Sequence, residues 1–162
     1  MKFKIPKYRA LIALLLLYLL VRLYIIDYPI FENGGEASRD FLVASHITKY
    51  HEYPLVGPFN GGTYNLIKNS PVYYYLISLP LFFINDIFTL IYLNILLQLL
   101  SIALIYKLAD QLFGQKVATL AGLLFAFTPE ILRESNSIWP PYVMQPFANL
   151  SYLFLLTAYL KK

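Results

Sequence analysis

The chain has 162 residues, 59% hydrophobic and 14% charged, with a mean hydropathy of +0.58, whereas soluble domains carry about 25% charged residues. A soluble globule this small could not hide so much apolar surface, and a disordered chain needs low hydrophobicity and high charge. The absence of cysteine also removes disulfides, thiolate metal sites and cysteine nucleophiles.

Lys2, Lys4, Lys7 and Arg9 precede the first apolar run, so the net charge of +4 reads as a membrane-orientation signal rather than a nucleic-acid footprint. Residues 8–26, YRALIALLLLYLLVRLYII, are long enough for a transmembrane helix, with Arg22 near enough to its end to snorkel. The run exceeds a signal-peptide core and has no A-x-A cleavage pattern behind it, which points to an uncleaved anchor. Residues 72–84, VYYYLISLPLFFI, are too short to span and contain Pro80. Their tyrosines suit headgroup depth, so this segment is expected to lie along the interface. Further apolar runs cover 87–106, 117–132 and 143–160.

Counting basic residues chooses the topology. If 72–84 spanned, five would lie inside and seven outside. If it does not, Lys2, Lys4, Lys7, Arg9, Lys107, Lys116, Lys161 and Lys162 lie inside, against Arg39, Lys49, Lys68 and Arg133 outside. The sequence therefore predicts an all-α integral membrane protein, one domain over 1–162, multi-pass in the cell membrane with both termini cytoplasmic. Its four spans fall at about 8–26, 87–106, 117–132 and 143–160, and the external loop 27–86 carries juxtamembrane helices.

Polar chemistry concentrates in that loop. Asn33-Gly34-Gly35 reads as a turn that opens a helix from Glu36, with Phe41, Leu42 and Ala44 available for a membrane-facing side. On it Glu36 and Asp40 form an i,i+4 like-charge pair, which costs a few tenths of a kcal/mol unless compensated. Arg39 and the helix N-terminus supply part of the compensation. Spacing alone fits equally a solvated helix face and a catalytic carboxylate beside a phosphate-binding arginine. His46, His51 and Glu52 have poor spacing for a metal and read as interfacial polar residues. Asn94 and Gln98, four apart inside a span, read as interhelical hydrogen-bonding groups rather than a polar path. The sequon Asn149-Leu-Ser151 falls within a predicted span. The sequence holds no phosphate loop, H-E-x-x-H or EF-hand motif.

Five blocks in order carry a resemblance: Glu36-Ala-Ser-Arg39-Asp40, Pro54-Leu-Val-Gly-Pro58, Ser70-Pro71-Val-Tyr-Tyr-Tyr-Leu, Leu112-Phe-Gly-Gln-Lys116 and Ser137-Ile-Trp139-Pro140-Pro141. They resemble the N-terminal part of GT-C glycosyltransferases, in particular the lipid-carrier-dependent protein O-mannosyltransferase and aminoarabinose transferase type. The resemblance implies transfer of a sugar from a polyprenyl-phosphate donor to an acceptor on the outer face. It places the catalytic acidic residue on Glu36, with Asp40 as the second acidic candidate. Arg39, Lys68 and Arg133 become candidates for the lipid phosphate. It assigns no metal ligand and leaves a divalent-metal requirement open. The implied partners are membrane lipid, the lipid-linked sugar donor and a complementing C-terminal half, with no nucleic acid. Enzymes of this type run to several hundred residues, so the chain matches about a third of one. The alternative is a truncated, non-catalytic small membrane protein acting as an interaction or assembly subunit.

Overall fold

The computed structural model describes residues 8–26, 35–58, 69–134 and 136–160, the side chains of Arg133 and Glu134 excepted. The described residues fold as α1 (Arg9–Tyr24), α2 (Glu36–Tyr50), α3 (Val72–Leu81), α4 (Ile87–Phe113), α5 (Gln115–Ala126), α6 (Pro129–Glu134) and α7 (Pro140–Leu160), with no strand among them. α4 is the spine. One side of it packs Leu90 and Leu97 against Ala44 and Ile47 of α2, Tyr73, Tyr74, Ile77 and Leu81 of α3, and Val143 of α7. Another side packs Ile91, Ile95, Ile102 and Tyr106 against Leu11, Leu14 and Tyr18 of α1 and Ala118 and Ala126 of α5. Leu16, Leu20 and Leu23 of α1 and Phe154, Leu155 and Leu160 of α7 stay exposed, as side chains that meet lipid would.

α4 begins where Asp86 accepts from the Phe88 amide at 2.8 Å, an N-cap. It runs past the expected end at residue 106 because backbone hydrogen bonding does not stop at Lys107 or Asp110, and it ends at Gly114. Gly114, at φ +82°, is at once the last cap of α4 and the first of α5, so a single residue turns the chain between two helices. α4 and α7, with 27 and 21 residues, are long and apolar enough to cross a membrane. At about 1.5 Å per residue they reach roughly 40 and 32 Å, against a hydrocarbon core of about 30 Å. α1 has 16 helical residues and α5 has 12, so neither reaches that length as a helix.

Several expectations are corrected. The single helix expected over 117–132 is split into α5 and α6 at Phe127-Thr128. Proline at 129 disfavours helical geometry at Thr128 and has no amide to donate, so the chain closes α5 and starts again. Arg22 does not snorkel: it is fully buried and bonded to the end of α6 and to Asn136 just beyond it. Ala44 lies in the core rather than toward the membrane, while Leu42 of the same helix is exposed. The tyrosines of α3 turn toward the protein. Tyr73 and Tyr74 are buried, and Tyr75 donates to the Pro54 carbonyl at 2.6 Å. Hydrogen-bond acceptors inside the protein, rather than lipid headgroups, hold the Tyr74 and Tyr75 hydroxyls. Asn94 and Gln98 hydrogen-bond between elements, donating to the Ser137 and Tyr142 carbonyls.

Candidate functional site

Three helices present their first turns to one cleft of about 620 Å³. Glu36 and Arg39 come from α2, Tyr73 from α3 with Asn69 and Ser70 just ahead of it, and Pro140 and Pro141 from α7 with Trp139 ahead and Met144 behind. Pro58 completes the wall. Glu36, Arg39, Asn69 and Ser70 make it polar on one part, and the proline, tryptophan and methionine side chains make it apolar on another. The first turn of α2 brings leading amides and partial positive charge to the cleft and, with Arg39, favours a negatively charged guest, whereas α7 opens with two prolines that have no amide to offer and lends apolar wall instead.

Local geometry explains why these residues arrive together. Gly35 starts α2 at φ +84°, a conformation that L side chains rarely adopt. Gly57 donates to the Asn69 carbonyl at 2.9 Å, and Asn69 donates back to the Pro58 carbonyl at 3.1 Å. This two-bond bridge joins the Pro54–Pro58 block to the start of α3. A Cβ on Gly57 would collide with the Ser70 carbonyl and the Asn69 oxygen, so only glycine permits so close a backbone approach.

Behind the cleft lies an ion pair. Asp40 has no exposed side-chain surface, whereas that of Arg39 is 37% exposed. Arg39 donates from Nε at 2.9 Å and pairs from Nη2 at 2.8 Å, both to Asp40 Oδ1. Tyr74 donates its hydroxyl to the same oxygen at 3.2 Å. Burial raises the Asp40 pKa above the ordinary carboxylate value, and the hydrogen bonds and charge of Arg39, with Tyr73 and Tyr74, pull against it without cancelling it. For Arg39 burial alone would lower the pKa, but the bond to Asp40 and the charges of Asp40 and Glu36 outweigh it and raise it. Burial, then the neighbouring carboxylate, lifts Tyr74 to about 12 and pushes Tyr73 up as well, so both phenols stay neutral donors. The outer edge of the guanidinium, held from behind, is left to the cleft. That arrangement can bind a phosphate with a fixed fork, and the Glu36 carboxylate beside it can accept a proton.

The residues picked from sequence separate accordingly. Glu36 and Arg39 line the cleft, and Asp40 sits behind it. Lys68 lies outside the described residues. Arg133 is on α6, and its side chain also lies outside the description. Trp139 and Tyr73 stand in the resembling blocks but carried no assigned role; their signal was aromatic residues beside Pro-Pro and Ser-Pro, the starts of helices. The Leu112–Lys116 block is away from the cleft and forms the Gly114 turn. His46 bonds Glu52 at 3.1 Å on the surface. Among the described residues no three His, Asp or Glu side chains come together to hold a metal ion. Of the described cleft residues only Glu36 brings a carboxylate, which falls short of the oxygen-rich shell a divalent cation takes.

A family model described as dolichyl-phosphate-mannose-protein mannosyltransferase matches residues 68–162. No curated protein and no solved structure matches the chain.

Proposed function

The chain belongs to the dolichyl-phosphate-mannose-protein mannosyltransferase family, and from that premise we propose that it forms the donor-side part of a membrane glycosyltransferase that takes a sugar from a polyprenyl phosphate and gives it to an acceptor on the outer face. The observation that carries this reading is the meeting of four separate sequence blocks at one cleft, with a carboxylate and a buttressed arginine on its wall. The apolar part of the wall, Trp139, Pro140, Pro141 and Met144, belongs to the start of α7, which is long and apolar enough to cross a membrane. A ligand with a charged head and a prenyl tail suits such a surface.

In this mechanism Glu36 takes the proton from the acceptor hydroxyl as its oxygen attacks the anomeric carbon with inversion. The bond to the lipid phosphate breaks, and the outer edge of Arg39 stabilises the departing phosphate. Asp40 acts through Arg39, fixing its fork. Lys68 and Arg133 remain candidates for further contacts to the phosphate. The topology proposed with it has four spans, the loop 27–86 outside and both termini in the cytoplasm. Lacking cysteine, the chain allows clean labelling: Glu52→Cys should react with an impermeant maleimide in intact cells, and Lys116→Cys only after permeabilisation.

Donor recognition is tested with the purified chain in nanodiscs and a polyprenyl-phosphate sugar. Saturable binding that Arg39→Ala loses and Glu36→Gln keeps is expected. Transfer, assayed in the chain with whatever complementing half it uses, should be lost in Glu36→Gln. Absence of saturable donor binding would overturn the reading and leave an assembly subunit in its place.

A further inference from the structure

Three buried polar side chains converge on one stretch of backbone. Arg22 of α1 donates through Nη1 to the Leu132 carbonyl at 3.1 Å and through Nη2 to Asn136 Oδ1 at 2.6 Å. From α4, Asn94 Nδ2 reaches the Ser137 carbonyl at 3.1 Å and Gln98 Nε2 the Tyr142 carbonyl at 3.3 Å. All four acceptors lie between 132 and 142, from the last turn of α6, across the connection, to the first turn of α7. Backbone released from helical bonding inside an apolar bundle must find other partners, and these side chains supply them. Within that stretch stands Trp139, the protein's sole tryptophan and part of the cleft wall. Its carbonyl accepts from the Tyr142 and Val143 amides, and its ring lies 5.4 Å from that of Tyr142.

We propose that Arg22 is a positioning residue for the cleft: working with Asn94 and Gln98, it fixes the 132–142 connection and thereby holds Trp139 as a rigid wall against which the donor lies. The donor half of this statement rests on the function proposed above; the clamp does not. The chemistry of the acceptors favours positioning over charge neutralisation, because the oxygens reached by the two Nη atoms are a peptide carbonyl and a side-chain amide, and the further partner, Tyr18, is a phenol rather than a carboxylate. A guanidinium spans two such acceptors in fixed directions, which an ammonium cannot. Arg22 is also completely buried, so its side chain gains nothing from solvent that would justify its place in an apolar helix.

The single indole makes the test direct. In the purified full chain without donor, Arg22→Gln should raise acrylamide quenching of Trp139 and shift its emission to the red. Arg22→Lys should fall between the variant and the parent. Asn136→Ala should reproduce the change, and adding it to Arg22→Gln should change nothing further. If Arg22→Gln does not fold, Asn136→Ala and Asn94→Ala carry the same test. A purely structural role would lower the thermal midpoint while leaving the emission and quenching of Trp139 at parental values well below it; that result overturns the proposal. Titration with farnesyl phosphate separates the two readings. Quenching of Trp139 in the parent, with weaker binding in Arg22→Gln, supports both. Altered Trp139 in the variants without any binding of farnesyl phosphate by the parent supports the clamp and counts against the donor reading alone.

Discussion

Removing Arg39 should cost more than removing the charge it faces, because Asp40 has nowhere else to turn. Arg39→Ala deletes both guanidinium contacts to Asp40 Oδ1, at 2.8 and 2.9 Å, and leaves the carboxylate with no cation, only the Tyr74 hydroxyl at 3.2 Å and the Tyr73 phenol, sealed from solvent. Stripping one partner from a buried pair costs about 3–5 kcal/mol. The Arg39 side chain is 37% exposed, so water entering from the cleft replaces part of what is lost, and about 3 kcal/mol is expected, the lower end of that range. Asp40→Asn keeps the shape and an oxygen for Arg39 and Tyr74 while removing a buried charge, so its cost should be about 1 kcal/mol. The double variant should then lie about 2 kcal/mol above the simple sum in stability, a coupling of the size found for side chains in one network.

pH supplies an independent sign. The Asp40 pKa is raised in the folded protein, so between its ordinary value and the raised one the folded state holds a proton that the unfolded state has released. Over that window stability from this group falls as pH rises. Arg39→Ala should widen the window upward, and Asp40→Asn should abolish it. Unfolding of the four proteins in a mild detergent, followed by circular dichroism across the acidic to neutral range, measures both effects. Strictly additive costs, or a pH slope unchanged by Asp40→Asn, would refute the account of a buried carboxylate paired with one cation.

Gly57→Ala should force apart the backbone bridge at Asn69–Ser70, because the atoms its Cβ meets are main chain and cannot step aside; a loss of about 1–3 kcal/mol in unfolding experiments is expected. Gly114→Ala meets nothing within 4 Å, so its cost should be backbone strain alone, about 1–3 kcal/mol for a non-glycine residue in this extended positive-φ conformation, with binding of farnesyl phosphate unaffected. Tyr74→Phe should lower stability by about 1–2 kcal/mol, because it removes a donor from a buried carboxylate, and should move the pH window upward, as Arg39→Ala does but by less.

The helical class, the membrane character and the helix starting at Glu36 were legible because they rest on composition, apolar run length and turn residues, all local quantities. The short helix within residues 72–84 was legible for the same reason. Its shortness and Pro80 describe a short helix, but the direction in which its tyrosines face depends on Asp40 and Pro54, which are distant in sequence. Arg22 illustrates the same limit: a lone cation in an apolar run looks like a snorkelling side chain until Leu132 and Asn136, more than a hundred residues away, are brought to it. Hydropathy could not locate the break in the 117–132 run either, since Pro129 acts through backbone geometry and Ile131 and Leu132 carry the apolar run on past it. For the site, spacing brought Glu36, Arg39 and Asp40 forward as a set but could not say which carboxylate would face the open side.

That division between the carboxylates leads to one further consequence. The i,i+4 pair appears in sequence as a like-charge penalty shared along one helix face, yet the two groups do opposite work around Arg39. Asp40 is buried, and its Oδ1 is occupied by Arg39 and Tyr74, so it is out of reach of an acceptor hydroxyl; its effect is to hold the guanidinium. Glu36 lines the open cleft and acts on Arg39 by its charge. A phosphate entering the cleft therefore meets one cation and one exposed anion together. Glu36→Gln removes the repulsion and leaves the Asp40 buttress intact, so inorganic phosphate or farnesyl phosphate should bind this variant tighter than the parent, by a few-fold, on the order of 1 kcal/mol. The gain should shrink as salt is raised, because the charges are near solvent. Asp40→Asn should do the reverse, loosening phosphate binding by freeing the fork. If Glu36→Gln instead weakens binding as much as Arg39→Ala does, Glu36 is a ligand-holding group, and its assignment as the base fails.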